Sequence, residues 1–243
     1  MAVRDVVQAA AGAGGDKLYV DDVFSTYLYA GNGSTQTINN GIDLDGEGGL
    51  VWVKTRDLAY SNALVDTETG AQKLLRSDMT SGQVAYTSGL TAFNSNGFTL
   101  GGATLVNSSG INRASWTWRK SPKFFDVLTW TGNNTNNRQI LHSLGSRPGM
   151  VVVKNISEAA DWYVWHRSLA PSGGSAANLR LNTNDAVQYS DYYVEDSTSS
   201  EYIQLGLAGG LNENNKQYVA YLFAHDAGGF GDDGEQNVIS CGS

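Results

Sequence analysis

From Phe24 onward the apolar residues come in short bursts separated by Gly, Asn and Ser. Leu50-Val51-Trp52-Val53-Lys54, Ala114-Ser115-Trp116-Thr117-Trp118, Val151-Val152-Val153-Lys154 and Tyr218-Val219-Ala220-Tyr221-Leu222-Phe223 are such bursts. They are rich in Val, Thr, Tyr and Trp, side chains that pack well on a pleated surface. Short strands at even spacing with polar turns between them predict sandwiches or barrels. No long amphipathic helical pattern competes, and Ala71 to Arg76 has room for one helical turn at most. Only the first 22 residues have a different texture. There Val3, Val6, Val7 and Ala10 fall at helical spacing before Gly12, Gly14 and Gly15, which predicts a short helix or extended arm ended by a Gly hinge.

The most informative pattern is an internal repeat. Tyr29-Ala30-Gly31-Asn32-Gly33-Ser34 matches Trp130-Thr131-Gly132-Asn133-Asn134-Thr135 at an offset of 101. Gly49-Leu50-Val51-Trp52-Val53-Lys54 matches Gly149-Met150-Val151-Val152-Val153-Lys154 at 100. Phe98-Thr99-Leu100-Gly101 matches Ile203-Gln204-Leu205-Gly206 at 105, and the last strand of each copy, Ala114–Trp118 and Val219–Phe223, matches at the same 105. The drift places an insertion of a few residues in the second copy, near Pro171-Ser172-Gly173-Gly174-Ser175.

The expected fold class is all-β: two tandem related antiparallel β-sandwich units preceded by a short N-terminal helix or arm. The divisions are an arm over 1–23, units over 24–121 and 122–226, and a Gly/Asp linker over 227–243. The joint, Arg119-Lys120-Ser121-Pro122-Lys123, combines charges with a Pro that stops a strand. A single sheet shared by both units is an open alternative. Val238-Ile239-Ser240-Cys241-Gly242-Ser243 resembles the opening strand Val127-Leu128-Thr129-Trp130, so a third unit, and a longer parent chain, are expected there.

Composition narrows the function. Lys plus Arg number 16 and Asp plus Glu 24, a net charge of −8 with no basic block, which argues against nucleic-acid binding. One Cys, Cys241, excludes a disulfide framework and a multi-Cys metal site. No apolar run of about 18 residues is present, so no membrane insertion by a helix is expected. The start of the chain lacks a secretory plan.

The chemistry-bearing residues do not assemble into a known motif. His142, His166 and His225 form no close ligand pair, and a structural role is expected for His166 at a strand end. No G-x-S-x-G elbow occurs, and Cys241 has no basic neighbour in sequence to activate it. Glu195, Asp196 and Glu201 are the carboxylates to test for glycoside hydrolysis, but Ser and Thr surround them as in a solvated loop. Asp43-Leu44-Asp45-Gly46-Glu47 alternates oxygen ligands without the rest of a calcium loop and reads as a polar turn. Gly31-Asn32-Gly33-Ser34 lacks the Lys and helix of a phosphate loop and reads as a hairpin turn. The expectation is no enzyme, no catalytic residue, no metal and no cofactor.

Aromatics are the remaining resource: 6 Trp, 12 Tyr and 7 Phe. Exposed Trp and Tyr stack on sugar rings. Tyr189, Tyr192 and Tyr193 lie in a polar stretch. Trp116 and Trp118, two apart, share one strand face, whereas Trp162 and Trp165, three apart, do not. One of the latter pair is then exposed, and Trp162, Tyr189, Tyr192 and Tyr193 are the candidate glycan-binding residues. Burial in a core or interface is the alternative.

Taken together, Gly31–Ser34, Asn40-Gly41-Ile42-Asp43-Leu44, Gly48–Lys54, Asn94-Ser95-Asn96-Gly97-Phe98 and Tyr218–Asp226 resemble the repeated modules of marine phage and cyanophage tail-fibre-like structural proteins. The opening Met1–Gly12 is also similar to the start of such proteins, and the likeness covers nearly the whole chain. The resemblance implies a virion protein made in the host cytoplasm: a tail fibre or its virion-proximal part. Its arm, through Val3, Val6, Val7 and Tyr19, would dock to other phage tail or baseplate proteins, and its β modules would serve host adsorption. It also implies a homo-oligomer, commonly a trimer, with a host surface glycan as a further partner. The alternative function is a carbohydrate-binding receptor module or a polysaccharide depolymerase. The family transfers no catalytic residue.

Overall fold

A computed structural model describes residues 17–172, 176–190, 192–206 and 210–242, with the backbone alone at 193–197. The chain is all-β, two tandem antiparallel sandwiches preceded by a short helix, α1 (Val20–Val23). The first half holds β1 (Phe24–Ala30), β2 (Gln36–Asn39), β3 (Gly49–Thr55), β4 (Ala63–Asp66), β5 (Lys73–Leu74), β6 (Val84–Ala85), β7 (Leu90–Asn94), β8 (Gly97–Leu100), a helical turn α2 (Thr104–Asn107) and β9 (Asn112–Arg119). The second holds β10 (Phe125–Thr131), β11 (Gln139–Leu141), β12 (Met150–Asn155), β13 (Trp162–His166), β14 (Ala176–Arg180), β15 (Gln188–Ser190), β16 (Tyr193–Thr198), β17 (Tyr202–Leu205) and β18 (Gln217–Phe223).

Strand order repeats between the halves. In the first, sheet β1-β9-β3-β4 faces sheet β2-β8-β7. In the second, β10-β18-β12-β13, extended by β14 and β15, faces β11-β17-β16. Pairing fixes the equivalences residue by residue. Phe24 pairs with Trp118 as Phe125 pairs with Phe223, and Leu50 pairs with Trp118 as Met150 pairs with Phe223. Ile38 pairs with Phe98 as Ile140 pairs with Ile203. Leu64 bridges Leu75 as Val164 pairs with Leu179. The extra residues of the second copy therefore fall between His166 and Leu179, the stretch containing Pro171–Ser175. The Ala71–Arg76 segment forms β5 and its bridge to β4 rather than a helical turn.

A buried Asn clamps the first hairpin of each half. Asn107 Oδ1 accepts the Asn32 amide (2.9 Å) while its Nδ2 donates to Asn32 Oδ1 (3.1 Å) and Ser34 O (2.6 Å). Asn212 repeats this with the Asn133 amide (3.2 Å), Asn133 Oδ1 (3.0 Å) and Thr135 O (2.7 Å). An aromatic tip secures the carbonyl before each Asn: Tyr29 Oη donates to Val106 O (2.8 Å) and Trp130 Nε1 to Leu211 O (3.1 Å). The clamp explains the shared glycine. A Cβ at Gly31 would lie 2.2 Å from Ser108 O, and one at Gly132 would lie 1.9 Å from Glu213 O.

Three cores result, not two. Val51, Val53, Phe98 and Leu100 fill the first sandwich; Val151, Val153, Tyr218, Ala220 and Ile203 fill the second. The opposite faces of the same strands meet between the halves. Leu50 and Leu64 from the first half pack there with Phe125, Val127, Val152, Trp162, Val164, Val219, Tyr221 and Phe223 from the second. Trp118, itself half-buried, packs against them, and Trp116, on the same strand face, is half-buried too. Alternate residues of β3, β12, β13 and β18 thus enter different cores, which is why these strands are apolar on both faces.

Polar contacts lock this central layer. Tyr221 Oη donates to Asp66 Oδ2 (2.9 Å), and the Thr69 amide donates to Asp66 Oδ1 (2.8 Å). Burial raises the Asp66 carboxyl above its ordinary range, opposed by these hydrogen bonds. Trp162 Nε1 donates to Arg76 O (2.9 Å) and Met79 O (3.1 Å), and Lys154 Nζ donates to Thr80 O (2.9 Å), all across the halves. The joint at 119–123 is ordered rather than loose: Lys120 Nζ lies 2.8 Å from Glu68 Oε1 and 3.4 Å from Asp126 Oδ1.

The C-terminal segment corrects two expectations. Residues 227–234 are not a flexible linker. Gly229 donates to Gly234 O, Phe230 bridges Gln236, and the Phe230 ring is buried in the central core against Phe124. Residues 238–242 form no strand. Val238, Ile239 and Cys241 pack back onto the cores already described, with the Cys241 amide donating to His225 Nδ1 (3.1 Å).

Candidate functional site

The sequence placed docking on the arm. Val3, Val6 and Val7 lie outside the described residues. Tyr19 is described, and it stands half-exposed at the root of the arm. Tyr19 Oη donates to Asp232 Oδ1 (2.7 Å), Lys17 Nζ lies 3.1 Å from the same oxygen, and the Gly231 amide donates to Leu18 O (2.8 Å). Leu18 packs on the central core. The Tyr19 and Lys17 hydrogen bonds hold the Asp232 carboxyl below its ordinary range, and Asp232 in turn raises Lys17. The root of the arm is thus bound to the C-terminal hairpin, so the direction in which residue 17 leaves the body is set by a buried Phe, a backbone hydrogen bond and an ion pair. Phe230 in a Gly-rich run was the available signal for this hairpin.

The four glycan candidates do not form one platform. Trp162 is 0% exposed and is withdrawn as a ligand-stacking residue. Trp165, on the opposite face, is buried too, because both faces of β13 are covered by a core. Tyr192 packs edge-on against Tyr163, ring centroids 5.0 Å apart, on the second core. The Tyr193 side chain lies outside the description. Among the described candidates Tyr189 alone is open, 54% exposed on the outer strand β15.

Sequence reasoning missed a cleft of about 390 Å³ on the first half, lined by Tyr60, Tyr86, Arg76, Leu74, Thr104 and Leu105. Tyr86 Oη accepts the Leu105 amide (3.1 Å), which fixes its ring, and Tyr60 is partly exposed beside it. The Tyr60 signal was its place in the polar loop Asp57-Leu58-Ala59-Tyr60-Ser61.

The ionisable candidates are dispersed. Asp43 Oδ1 accepts the Gly46 amide (2.8 Å), the polar turn expected, and Leu44 of the same run is buried. His166 ends β13 and accepts the Ser168 amide at Nδ1 (3.2 Å). Among the described residues no three His, Cys, Asp or Glu side chains gather to hold a metal, and no helix is long and apolar enough to cross a membrane. Burial raises the Cys241 thiol above its ordinary value, the reverse of an activated nucleophile.

Fold and surface therefore define a class: a tandem β-sandwich protein with an anchored N-terminal root and separate aromatic surfaces. Residues 20–234 match the family described as Domain of unknown function (DUF7483), and the chain belongs to that family. The match spans both halves and the hairpin carrying Phe230. No curated protein and no solved structure matches the chain.

Proposed function

We propose that this chain is a structural protein of a bacteriophage virion, a tail fibre or its virion-proximal part, which docks through residues 1–23 and presents its β modules for host adsorption. The observation that carries the reading is the anchored root: Lys17, Leu18 and Tyr19 tie the arm to a hairpin plugged into the central core. A docking arm works when its attachment transmits position to the body, and the Tyr19–Asp232 and Leu18–Gly231 contacts supply such an attachment. The resemblance of the repeated modules to phage tail-fibre-like proteins supplies the setting. A homotrimer fits the same reading, with the partly exposed Tyr27 and Leu28 on edge strand β1 as the apolar edge where copies meet.

Deleting residues 1–16 leaves the root intact. Virions built with this variant are expected to lack the protein, while the purified variant unfolds at the wild-type midpoint. Incorporation at the wild-type level would overturn the docking role.

A second reading, a carbohydrate-binding receptor module, draws support from the open Tyr189 and from the Tyr60–Tyr86 cleft. It expects binding on an array of host surface glycans that is lost in Tyr60→Ala or Tyr189→Ala; an array without signal removes it. Release of reducing ends from host polysaccharide would instead favour a depolymerase.

A further inference from the structure

Duplication provides an internal control, because equivalent positions share a backbone and differ in chemistry. Lys54 and Lys154 each donate to a loop carbonyl, of Tyr60 (2.7 Å) and of Ala160 (2.9 Å). Tyr60 is therefore the counterpart of Ala160, and Ser61 that of Asp161. Leu75 and Leu179 are equivalent through their pairing with Leu64 and Val164, so Arg76 corresponds to Arg180. The β5–β6 and β14–β15 registers then align Tyr86 with Ser190. Tyr60, Ser61, Arg76 and Tyr86 all line the cleft of the first half.

The arginine is common to both halves, and its company is not. Arg180 is neutralised: its Nε lies 3.2 Å from Asp161 Oδ2, and its guanidinium carbon lies 3.9 Å from the centre of the Tyr163 ring. Arg76 makes no ion pair with a described carboxylate, and its Nη1 donates to Met79 Sδ (3.2 Å). Ser61 stands where the second half has its acid. The carboxylates of Asp57 and Asp78, in flanking loops, accept the backbone amides of Asn112 (2.7 Å) and Asn62 (3.2 Å).

A second cation lies behind the cleft. Arg113 is fully buried, and its Nη2 donates to the carbonyl of Thr104 (2.6 Å), a residue of the cleft wall. Its Nη1 donates to Thr55 Oγ1 (3.0 Å), and its buried Nε has no hydrogen-bond partner. The counterpart of Arg113 is Tyr218, so the backbone does not require a cation there. Burial draws this guanidinium below its ordinary value, opposed by Tyr29, Tyr60, Tyr86 and Asp57. A buried cation without a paired carboxylate favours negative charge in the adjoining cleft.

We propose, resting on the carbohydrate reading of the same cleft, that it takes an acidic sugar, with the sugar ring against Tyr60 and its carboxylate or sulfate group on the Arg76 guanidinium. Tyrosine supplies an apolar face with a polar tip, and the planar guanidinium fork matches two oxygens of either group. The cleft of about 390 Å³ falls within the roughly 300–1,000 Å³ of small-ligand sites.

The test is calorimetric titration of the full chain at low ionic strength. The probes are a uronic-acid trisaccharide, a sulfated trisaccharide, a neutral trisaccharide and triglutamate. An acidic saccharide is expected to bind saturably in the millimolar range or tighter, at least tenfold more tightly than the neutral one, and to weaken as sodium chloride is added. The tighter of the two acidic saccharides names the group held. Arg76→Gln is expected to remove the tenfold preference at an unchanged unfolding midpoint. Ser61→Asp, which installs the acid of the second half, should remove it as well. If the neutral trisaccharide binds as tightly as the acidic ones and Tyr60→Ala abolishes both, the carbohydrate reading stands and the acidic preference is wrong. If no saccharide binds saturably, both are wrong. Triglutamate binding as tightly as the acidic saccharides would make the cleft a peptide site and overturn the proposal.

Discussion

The same lysine does different work in the two halves. Lys54 and Lys154 both follow the apolar run of their strand, and both donate to a carbonyl of the following loop: Tyr60 O at 2.7 Å and Ala160 O at 2.9 Å. Lys54 stops there and remains half-buried. Lys154 is fully buried and reaches two more carbonyls, Asn155 O and, across the halves, Thr80 O. Burial draws its ammonium down to about 8, with Asp161 pulling the other way. The loop clasp is thus the common element, and the cross-contact is an addition made by one copy. The same division holds elsewhere. The three hairpin contacts of each Asn clamp are duplicated, whereas the residues of the central layer are not: Trp162 stands where the first half has Asn62, and Tyr221 where it has Trp116. Duplication supplied two sandwiches, and divergence of their outer faces joined them.

That contrast predicts its own breaking points. Trp162→Ala should have the largest effect. It empties a fully buried site and leaves Arg76 O and Met79 O without their donor, a loss of about 3–5 kcal/mol in urea unfolding. Asn62→Ala, at the equivalent place, should stay within about 0.5 kcal/mol. Equal losses would mean that the central layer is not what distinguishes the halves.

Next come the clamps. Asn107→Ala and Asn212→Ala each remove a fully buried amide together with its hairpin contacts, and each should cost about 1–3 kcal/mol. The three hairpin contacts are alike, while Asn107 also donates to Gly101 O (2.9 Å) and Asn212 also accepts from Arg138 Nη1 (2.9 Å), so the two losses should be of the same order. A marked difference would show that one half tolerates an open hairpin.

The smallest effect is one of pH. The folded Asp66 carboxyl ionises above its unfolded value, so the folded state holds the proton longer. Stability from this group is present below the unfolded pKa, near 3.9, and is lost as pH rises through the raised folded value. Unfolding of wild type and Asp66→Asn between pH 3.5 and 7 should show the wild type falling relative to the variant as pH rises. A difference independent of pH would contradict a buried, burial-shifted carboxylate.

Much of the architecture was legible in the sequence because glycine and aromatic positions mark turns and strands in fixed order. Gly31, Gly132 and Gly49 stand where a neighbouring backbone leaves no room for a side chain, Gly149 where the His225 and Cys241 side chains leave none, and the strand registers reproduce those offsets. Trp162 and Trp165 were correctly separated onto opposite faces by period-two geometry. What the period does not encode is which face meets solvent, and here neither does. The central layer escaped notice for the same reason: a strand apolar on both faces, such as Met150–Asn155, shows that it is covered twice without naming the cover. Asn107 and Asn212 lie at the repeat offset, but Val106-Asn107-Ser108 and Leu211-Asn212-Glu213 are too different to draw attention. The Gly-rich run at 227–234 reads as a linker from its four glycines, yet its one aromatic, Phe230, outweighs them once it finds a core.

The central claim is that the two halves form one cooperative body through the shared layer. Native-state hydrogen exchange in rising denaturant tests it, following the amides of Val51 and Val53 in the first half and Val151 and Val153 in the second. The account predicts that both sets open with the same free energy and the same denaturant dependence, and that Trp162→Ala lowers both together. If the first set opens at a markedly lower free energy while the second stays protected, the halves are independent sandwiches and the account is wrong.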